Sequence, residues 1–234
     1  MAKILGVRLM KLAVMLFFCG GCLTVNVYAN PCVAGSLADY VSLGAGGCTI
    51  GGNTVSSFTV LSGITGATEL APGTVSIQPF GGTADPELAF TVSESVQTPP
   101  LLETIFTYEI SGNPYTQSEI DLSNSSETVD GAVTDIQNIC EDGNFGSDGV
   151  TGCTGLSTSL LTLDGIQNTD STALSALSFL SVTDDFTLDP GTAGSASGGV
   201  FTDQFTAATT VPEPNLTVLL GALTLALAAI RKRR

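Results

Sequence analysis

The sequence predicts an all-β fold, a β-sandwich ectodomain of the jelly-roll-like or Ig-like kind, between an N-terminal signal helix and a C-terminal transmembrane helix. Three observations predict the sandwich. Apolar and polar residues alternate in many short runs, turn residues separate these runs, and no long amphipathic helical pattern interrupts them between residues 30 and 205. Alternation with a period of two places one face of a strand in the core and the other in water.

The elements follow in order along residues 30–205. Ser36 is a suitable N-cap for a short helical turn through Val41, which the glycines from Gly44 onward end. Strands are predicted over Val55–Leu61, Thr74–Pro79, Glu87–Val92, Glu103–Ser111, around Ile120 and Leu122, over Leu180–Leu188 and over Val200–Phe205. The spacing of Val133, Ile136 and Ile139 fits either a strand or a helix. Predicted turns are Gly81-Gly82, Gly112-Asn113-Pro114 and Asp189-Pro190-Gly191.

Residues 1–29 have the layout of a secretory signal peptide. Three basic residues, Lys3, Arg8 and Lys11, precede an apolar run and a small-residue cleavage site that ends at Ala29. We expect signal peptidase to cut between Ala29 and Asn30. An uncleaved anchor helix is one alternative. Lipoprotein processing at Cys22 is another, and it is disfavoured because Cys19 stands where an aliphatic residue is needed.

Residues 211–234 form a second sorting segment behind a small polar linker at residues 206–210. The segment opens on Val211, Pro212, Glu213 and Pro214, whose prolines favour an extended chain. An uncharged stretch follows, and we expect a transmembrane helix over residues 215–230. Its apolar part, Leu216 to Ile230, spans about 22 Å as a helix, which is short for a bilayer. Four terminal cations, Arg231, Lys232, Arg233 and Arg234, should stop transfer and stay cytoplasmic.

Charge is distributed very unevenly along the chain. The seven Lys and Arg residues all lie in the two end segments, there is no His, and all acidic residues but Glu213 lie between Asn30 and Pro212. The body therefore carries only negative charge. Because affinity for nucleic acids depends on Lys and Arg, this composition excludes nucleic-acid binding, and it is compatible with binding divalent cations.

Four cysteines remain once the signal peptide is set aside. Cys32, Cys48, Cys140 and Cys153 allow three pairings, of which Cys32–Cys48 and Cys140–Cys153 are the simplest. The alternative of a zinc site is disfavoured, because the chain has no CxxC motif and no His. Disulfide bonds are typical of exported proteins, which this prediction supports.

The composition also excludes most catalytic schemes. A body without His, Lys or Arg cannot build a Ser-His-Asp triad, a Cys-His pair or a Schiff-base lysine, so we expect no enzyme activity. Paired carboxylates could serve a glycosidase, and the candidates are Asp184-Asp185, Glu141-Asp142 and Glu119/Asp121. The absence of Trp, which often lines sugar clefts, counts against that alternative.

Calcium is the one cofactor that the sequence leaves open. Residues 141–149 form a Gly-rich acidic loop between Cys140 and Cys153, with Asp142, Asn144 and Asp148 as weak ligand candidates. The spacing departs from that of an EF-hand. A solvated turn closed by a disulfide is the favoured interpretation of this loop.

The C-terminal segment resembles the PEP-CTERM sorting signal of Gram-negative bacteria: Val-Pro-Glu-Pro, a short apolar helix and a terminal Arg-rich cluster, in that order. Asn215 departs from the small residue common at that position. The body is similar, loosely, to secreted PEP-CTERM proteins of unknown activity. The matching pieces are Cys32 with residues 36–41, residues 43–51, residues 181–186, and Phe205.

This resemblance implies an exported surface or extracellular protein that an exosortase recognises and cleaves at Pro212-Glu213-Pro214 while the helix holds it in the membrane. The family is associated with exopolysaccharide and biofilm, so exopolysaccharide is an implied partner. The body is expected to be structural or adhesive, with a calcium- or glycan-binding surface module as the alternative.

Overall fold

The computed structural model describes residues 29–62, 66–97 and 99–208. The predicted sorting motif and transmembrane helix, the stop-transfer cluster and all of the signal peptide but Ala29 lie outside these residues. Within the described ranges, no helix is long and apolar enough to cross a bilayer.

The described chain is all-β, as predicted, and its two longest strands are β8 and β12. The strands are β1 Gly35–Ser36, β2 Cys48–Ile50, β3 Asn53–Leu61, β4 Ala67–Glu69, β5 Val75–Phe80, β6 Glu87–Val92, β7 Ser95–Val96, β8 Leu101–Ser123, β9 Ser126–Thr128, β10 Ala132–Glu141, β11 Leu156–Leu163, β12 Thr169–Asp189, β13 Ser195–Ser197 and β14 Val200–Ala207. One α-helix, α1, covers Leu37–Leu43 in this part of the chain. Two 3-10 turns, Gly44–Gly46 and Pro72–Thr74, complete the regular elements described.

Helix α1 begins where the sequence predicted it. The Ser36 hydroxyl accepts a hydrogen bond from the Asp39 N–H at 3.2 Å, and the Asp39 carboxylate accepts one from the Ser36 N–H at 2.8 Å. This reciprocal pair is a capping box, which satisfies donors that the first helical turn leaves unpaired. Gly44, with a φ of 58°, then ends the helix.

The two longest strands, β8 and β12, run through both layers of the sandwich. The first part of β8 pairs with β3 and with the second part of β12, whereas its last residues pair with β14 and with the first part of β12. One layer therefore contains β1, β5, β6, β14, the far end of β8 and the start of β12. The other contains β2, β3, the start of β8, the second part of β12, β10 and β11. We call them the first and the second layer.

Stacked aromatic rings show that the two layers face each other. Phe201 of the first layer lies 4.8 Å, between ring centroids, from Phe186 of the second layer and also 4.8 Å from Phe90 in its own layer. Phe106 of the second layer contacts Phe90 at 4.9 Å. All four rings are fully buried. The hydrophobic core thus lies between the layers, as expected of a sandwich.

The turn predicted at Gly112-Asn113-Pro114 is wrong. These residues lie within the continuous strand β8, at an irregularity in its pairing with β12, and pack against the buried side chain of Asn53. The Asn53 Oδ1 accepts hydrogen bonds from the Asn113 N–H at 3.3 Å and the Tyr115 hydroxyl at 3.2 Å. A Cβ on Gly112 would lie 2.3 Å from that oxygen, so glycine is needed here for close packing.

Several other elements differ from the sequence prediction. The strand predicted over Leu180–Leu188 is the second part of β12, which begins at Thr169, and the strand predicted around Ile120 and Leu122 is the end of β8. Residues 132–141, whose sequence pattern fits either a helix or a strand, form β10. β14 continues to the buried Ala207, so residues 206 and 207 belong to the domain and not to the linker; residues 209 and 210 lie outside the described ranges. β11 was not predicted, because its serine and threonine residues mask the alternation.

Both simple disulfide pairings are present. Cys32 pairs with Cys48, and Cys140 pairs with Cys153. The first joins the start of the described chain to β2, and the second closes the loop of residues 141–152. The two bonds indicate an extracellular or secreted protein.

Candidate metal centre

Three aspartates point into the core from three different strands. Asp135 lies on β10, Asp184 on β12 and Asp203 on β14, and each side chain is fully buried. Each stands at an inward position of an alternating strand; Asp203, for example, lies between Phe201 and Phe205. The alternation that builds the apolar core therefore also brings three carboxyl groups together between the layers.

The three carboxyl groups form one compact cluster. One oxygen from each of Asp135, Asp184 and Asp203 lies within 4.8 Å of the other two. Asp184 is directly opposite Gln137 in the pairing of β12 with β10, and Asp135 is opposite Phe186, two residues further along β12. The register of these two strands thus fixes two of the carboxyl groups, while β14 supplies the third from the facing layer.

Two hydrogen bonds cross between the layers beside this acid cluster. The Tyr108 hydroxyl of the second layer donates to Asp203 Oδ2 of the first at 2.5 Å. The Ser118 hydroxyl of the first layer donates to Gln137 Oε1 of the second at 2.8 Å. All four side chains are buried, so these bonds align the layers around the cluster.

Many of the polar atoms in the cluster have no partner in the described part of the chain. Both oxygens of Asp135, both oxygens of Asp184, Asp203 Oδ1 and Gln137 Nε2 are buried without a hydrogen bond of normal geometry. The Gln137 amide lowers the pKa of both Asp184 and Asp203, and the hydrogen-bonding interaction between these two carboxyl groups raises the pKa of Asp184 and lowers that of Asp203. A buried polar atom left unpaired is costly, so these oxygens are suited to binding a cation.

Burial makes the charged form of every member unfavourable. Desolvation raises the pKa of Asp135 and Asp184 well above the usual range, and the nearby Asp203 carboxyl raises both further. Desolvation raises the pKa of Asp203 to about 6. No Lys, Arg or His lies between residues 12 and 230 to compensate these charges. The cluster must therefore be neutralised by protons or by a cation from solution.

The donor set suits calcium. Two oxygens bound to the same calcium ion at 2.3–2.6 Å are at most about 5 Å apart, which the three carboxyl groups satisfy. The Tyr108 hydroxyl oxygen lies beside them, whereas Gln137 Oε1 accepts a hydrogen bond from Ser118. Zinc and copper prefer His or Cys ligands, whereas this cluster offers hard oxygen donors alone.

The loop in which the sequence placed calcium candidates is organised as a turn. The Asp148 carboxylate accepts hydrogen bonds from the Val150 N–H at 3.2 Å and the Thr151 N–H at 2.9 Å, and also from the Thr151 hydroxyl. Asp142 and Asn144 are exposed. The three residues do not come together as a ligand group in the described structure, where the only such group is Asp135, Asp184 and Asp203.

The paired carboxylates singled out by the sequence are arranged in different ways. Asp184 faces the core and Asp185 faces outward beside Glu103, so this pair is split between two faces of β12. Glu141 accepts a hydrogen bond from the Ser175 N–H at 2.6 Å, and Asp142 is exposed. Glu119 and Asp121 share the outer face of β8 and line a shallow cavity of about 260 Å³ with Glu87.

The sequence interpretation missed Asp135 and Asp203 and assigned Asp184 to the wrong partner. A signal was present in each case. Val133-x-Asp135-x-Gln137-x-Ile139, Val182-x-Asp184-x-Phe186 and Phe201-x-Asp203-x-Phe205 each put an aspartate on the apolar face of a strand. Aspartate is depleted in strands and rare in cores, so three such positions indicate a special site.

Comparison with known proteins adds little to this geometry. No family model matches the chain, and no curated protein matches it. The structure of TmCBM61 in complex with β-1,4-galactotriose is similar over 64% of this chain and 86% of that chain, at 9% identity and a TM-score of 0.26. The enzymatically active domain of bacteriophage CBA120 tailspike protein 4 is similar over 70% of this chain and 21% of that chain, at 15% identity and a TM-score of 0.25. With TM-scores this low, neither likeness indicates a function.

Proposed function

We propose that this chain is an exported, non-catalytic surface protein whose β-sandwich binds a divalent cation, calcium by preference, between its two layers. Asp135, Asp184 and Asp203 are the ligands. The observation that carries the proposal is the set of buried carboxyl oxygens without partners in a body that has no basic side chain.

The cation has a structural role in this proposal. It neutralises charge in the core and joins β10 and β12 of the second layer to β14 of the first. Because the carboxylates converge only in the folded state, cation binding stabilises folding by mass action. Calcium at one hundred times its Kd would add about 2.7 kcal/mol. For a domain of this size that is roughly 5–10 °C in Tm.

Export and sorting complete the proposed function. The disulfides support secretion, and the resemblance of residues 211–234 to a PEP-CTERM signal supports recognition by an exosortase. The same resemblance supports an association with exopolysaccharide or biofilm at the Gram-negative surface. Intact mass of the protein from the surface of its native host tests this part. We expect a chain from Asn30 to near Pro212, and a mass that retains residues 216–234 would contradict cleavage of the tail.

Thermal unfolding tests the cation site. We expect the Tm at pH 7.5 to rise by roughly 5–10 °C when EDTA is replaced by saturating calcium. Asp184→Asn should abolish this calcium response. It should also raise the Tm measured in EDTA, because a neutral amide replaces a carboxylate that burial destabilises.

Asp185→Asn is the matched control. It removes the neighbouring carboxylate of the same strand on the opposite face, so the calcium response should persist. A wild-type Tm that is equal in calcium and in EDTA would contradict the proposal, as would a normal calcium response in Asp184→Asn.

A further inference from the structure

A polar groove lies on the outer face of the second layer and is a separate site from the acid cluster. The loop closed by Cys140–Cys153 folds over that face and leaves a groove of about 250 Å³ beside it. Its floor comes from β3, β8 and β12. Four hydroxyl side chains and one carboxylate belong to the floor: Ser57, Thr59, Thr107, Ser181 and Glu109. Asn144 and Phe145 of the loop form the wall.

The backbone is shaped to present this floor. Ser57 has a φ of 59°, which is uncommon for a residue other than glycine, and it sits at the irregularity where β3 slips in register against β8. In that conformation its hydroxyl donates to Glu109 Oε2 at 2.8 Å. Strained residues held by their surroundings cluster at functional sites, and here the strain orients the single carboxylate of the groove.

The loop is fixed over the sheet, so the groove is preformed. The Thr183 hydroxyl of β12 donates to the Gly149 carbonyl. Gly149 has a φ of 70°, and a Cβ there would lie 2.6 Å from Leu61 and 2.8 Å from Thr107. Glycine therefore permits the loop to approach the sheet closely, with Phe145 held at the edge of the groove.

The chemistry of the lining selects the ligand class. Hydroxyls, one carboxylate and one amide offer donors and acceptors matched to the hydroxyl groups of a sugar, and the half-buried Phe145 offers an apolar surface to its C–H groups. No basic side chain is present between residues 12 and 230, so uronates, phosphates and sulfates would meet only negative charge. We infer that this groove binds a neutral saccharide through Glu109, Asn144 and Phe145.

This inference is independent of the proposed cation site. The two sites share one residue, since Tyr108 lines the groove and also donates to Asp203, whereas Glu109 and Phe145 contribute nothing to the cluster. Saccharide binding can therefore fail while calcium still stabilises the fold, and the reverse also holds.

Isothermal titration of the exported chain in calcium buffer tests the inference. The probes are cellohexaose, xylohexaose, mannohexaose and laminarihexaose, with trigalacturonate as the anionic probe. We expect at least one neutral hexaose to bind and trigalacturonate not to bind. Glu109→Gln and Phe145→Ala should each weaken binding by about tenfold or more, which corresponds to loss of one good contact.

Glu119→Gln and Phe80→Ala are the matched controls, because they change the same residue types elsewhere on the surface. Both should bind the hexaose as the wild type does, and all variants should keep the wild-type calcium response in thermal unfolding. No binding by any neutral hexaose at millimolar concentration would overturn the inference. Binding unchanged in both groove variants, or preference for trigalacturonate, would overturn it as well.

Discussion

The hydroxyl of Tyr108 donates a hydrogen bond to the carboxyl group of Asp203 across the centre of the sandwich, 95 positions apart in the chain. Tyr108 stacks on Phe58 at a centroid distance of 5.1 Å, so its ring is held by packing while its hydroxyl reaches the acid cluster. The pair therefore connects the apolar core of the second layer with the polar centre between the layers.

Replacing this tyrosine with phenylalanine should weaken both the fold and the cation site. Tyr108→Phe keeps the ring but removes the donor to a buried carboxyl, which costs about 1–3 kcal/mol. Loss of a group that orients a ligand lowers metal affinity by roughly tenfold or more. Chemical unfolding in EDTA measures the first effect, and calcium titration measures the second.

Tyr40→Phe provides the comparison for that variant. The Tyr40 hydroxyl donates to the Val33 carbonyl at 2.9 Å and makes no hydrogen bond to the three aspartates. Its loss should lower stability by about 1 kcal/mol and leave calcium affinity unchanged. Equal calcium affinities in wild type and Tyr108→Phe would contradict the role assigned to Tyr108.

Stability in the absence of divalent cations should fall as the pH rises. The folded-state pKa values of Asp135, Asp184 and Asp203 are all raised, that of Asp203 to about 6, so the folded protein holds more protons than the unfolded chain above about pH 4. Their contribution is complete below that pH and is lost as the pH passes through the folded pKa values. The half-buried Glu103, whose pKa burial and Asp185 raise to about 7, acts in the same direction.

Unfolding curves from pH 4 to pH 8, in EDTA and in calcium, measure this dependence. The two sets of curves should coincide near pH 4, where protons occupy the cluster, and separate toward pH 8, where calcium replaces them. Stability in EDTA that rises between pH 4 and pH 7 would contradict the raised pKa values of these carboxyl groups.

Removing the disulfide of the groove loop should destabilise the protein without affecting the cation site. Cys140→Ser with Cys153→Ser opens a loop of 13 residues, which costs about 3 kcal/mol in the chain-entropy model. The expected fall in Tm is roughly 6–12 °C. The calcium response should remain, because the loop lies on the outer face of the layer. A double variant with the wild-type Tm would show that this bond does not stabilise the fold.

The local pattern was sufficient where an element is governed by its own residues. Glu87–Val92 was predicted with the bounds that β6 has, because Leu88, Phe90 and Val92 alternate and turn residues flank them. The capped start of α1 at Ser36 was equally local.

Elements governed by tertiary contacts were not predictable in this way. Gly112 and Pro114 resemble a turn in sequence, but β8 pairs with β12 on both sides of them, at Ser111 and Tyr115, and Gly112 packs against Asn53. The acid cluster depends on the strand register that unites β10, β12 and β14. Each aspartate was visible in the sequence, whereas their convergence follows from the topology.

The metal content of the purified protein tests the central claim most directly. The exported chain is equilibrated with calcium, passed through gel filtration in chelator-free buffer, and analysed by elemental mass spectrometry beside Asp184→Asn and Asp185→Asn. We predict one calcium ion per chain in the wild type and in Asp185→Asn, and none in Asp184→Asn. A wild-type protein that carries no bound divalent ion, and whose Tm is the same in calcium and EDTA, would contradict the account and leave protons as the only neutralising partners of the three aspartates.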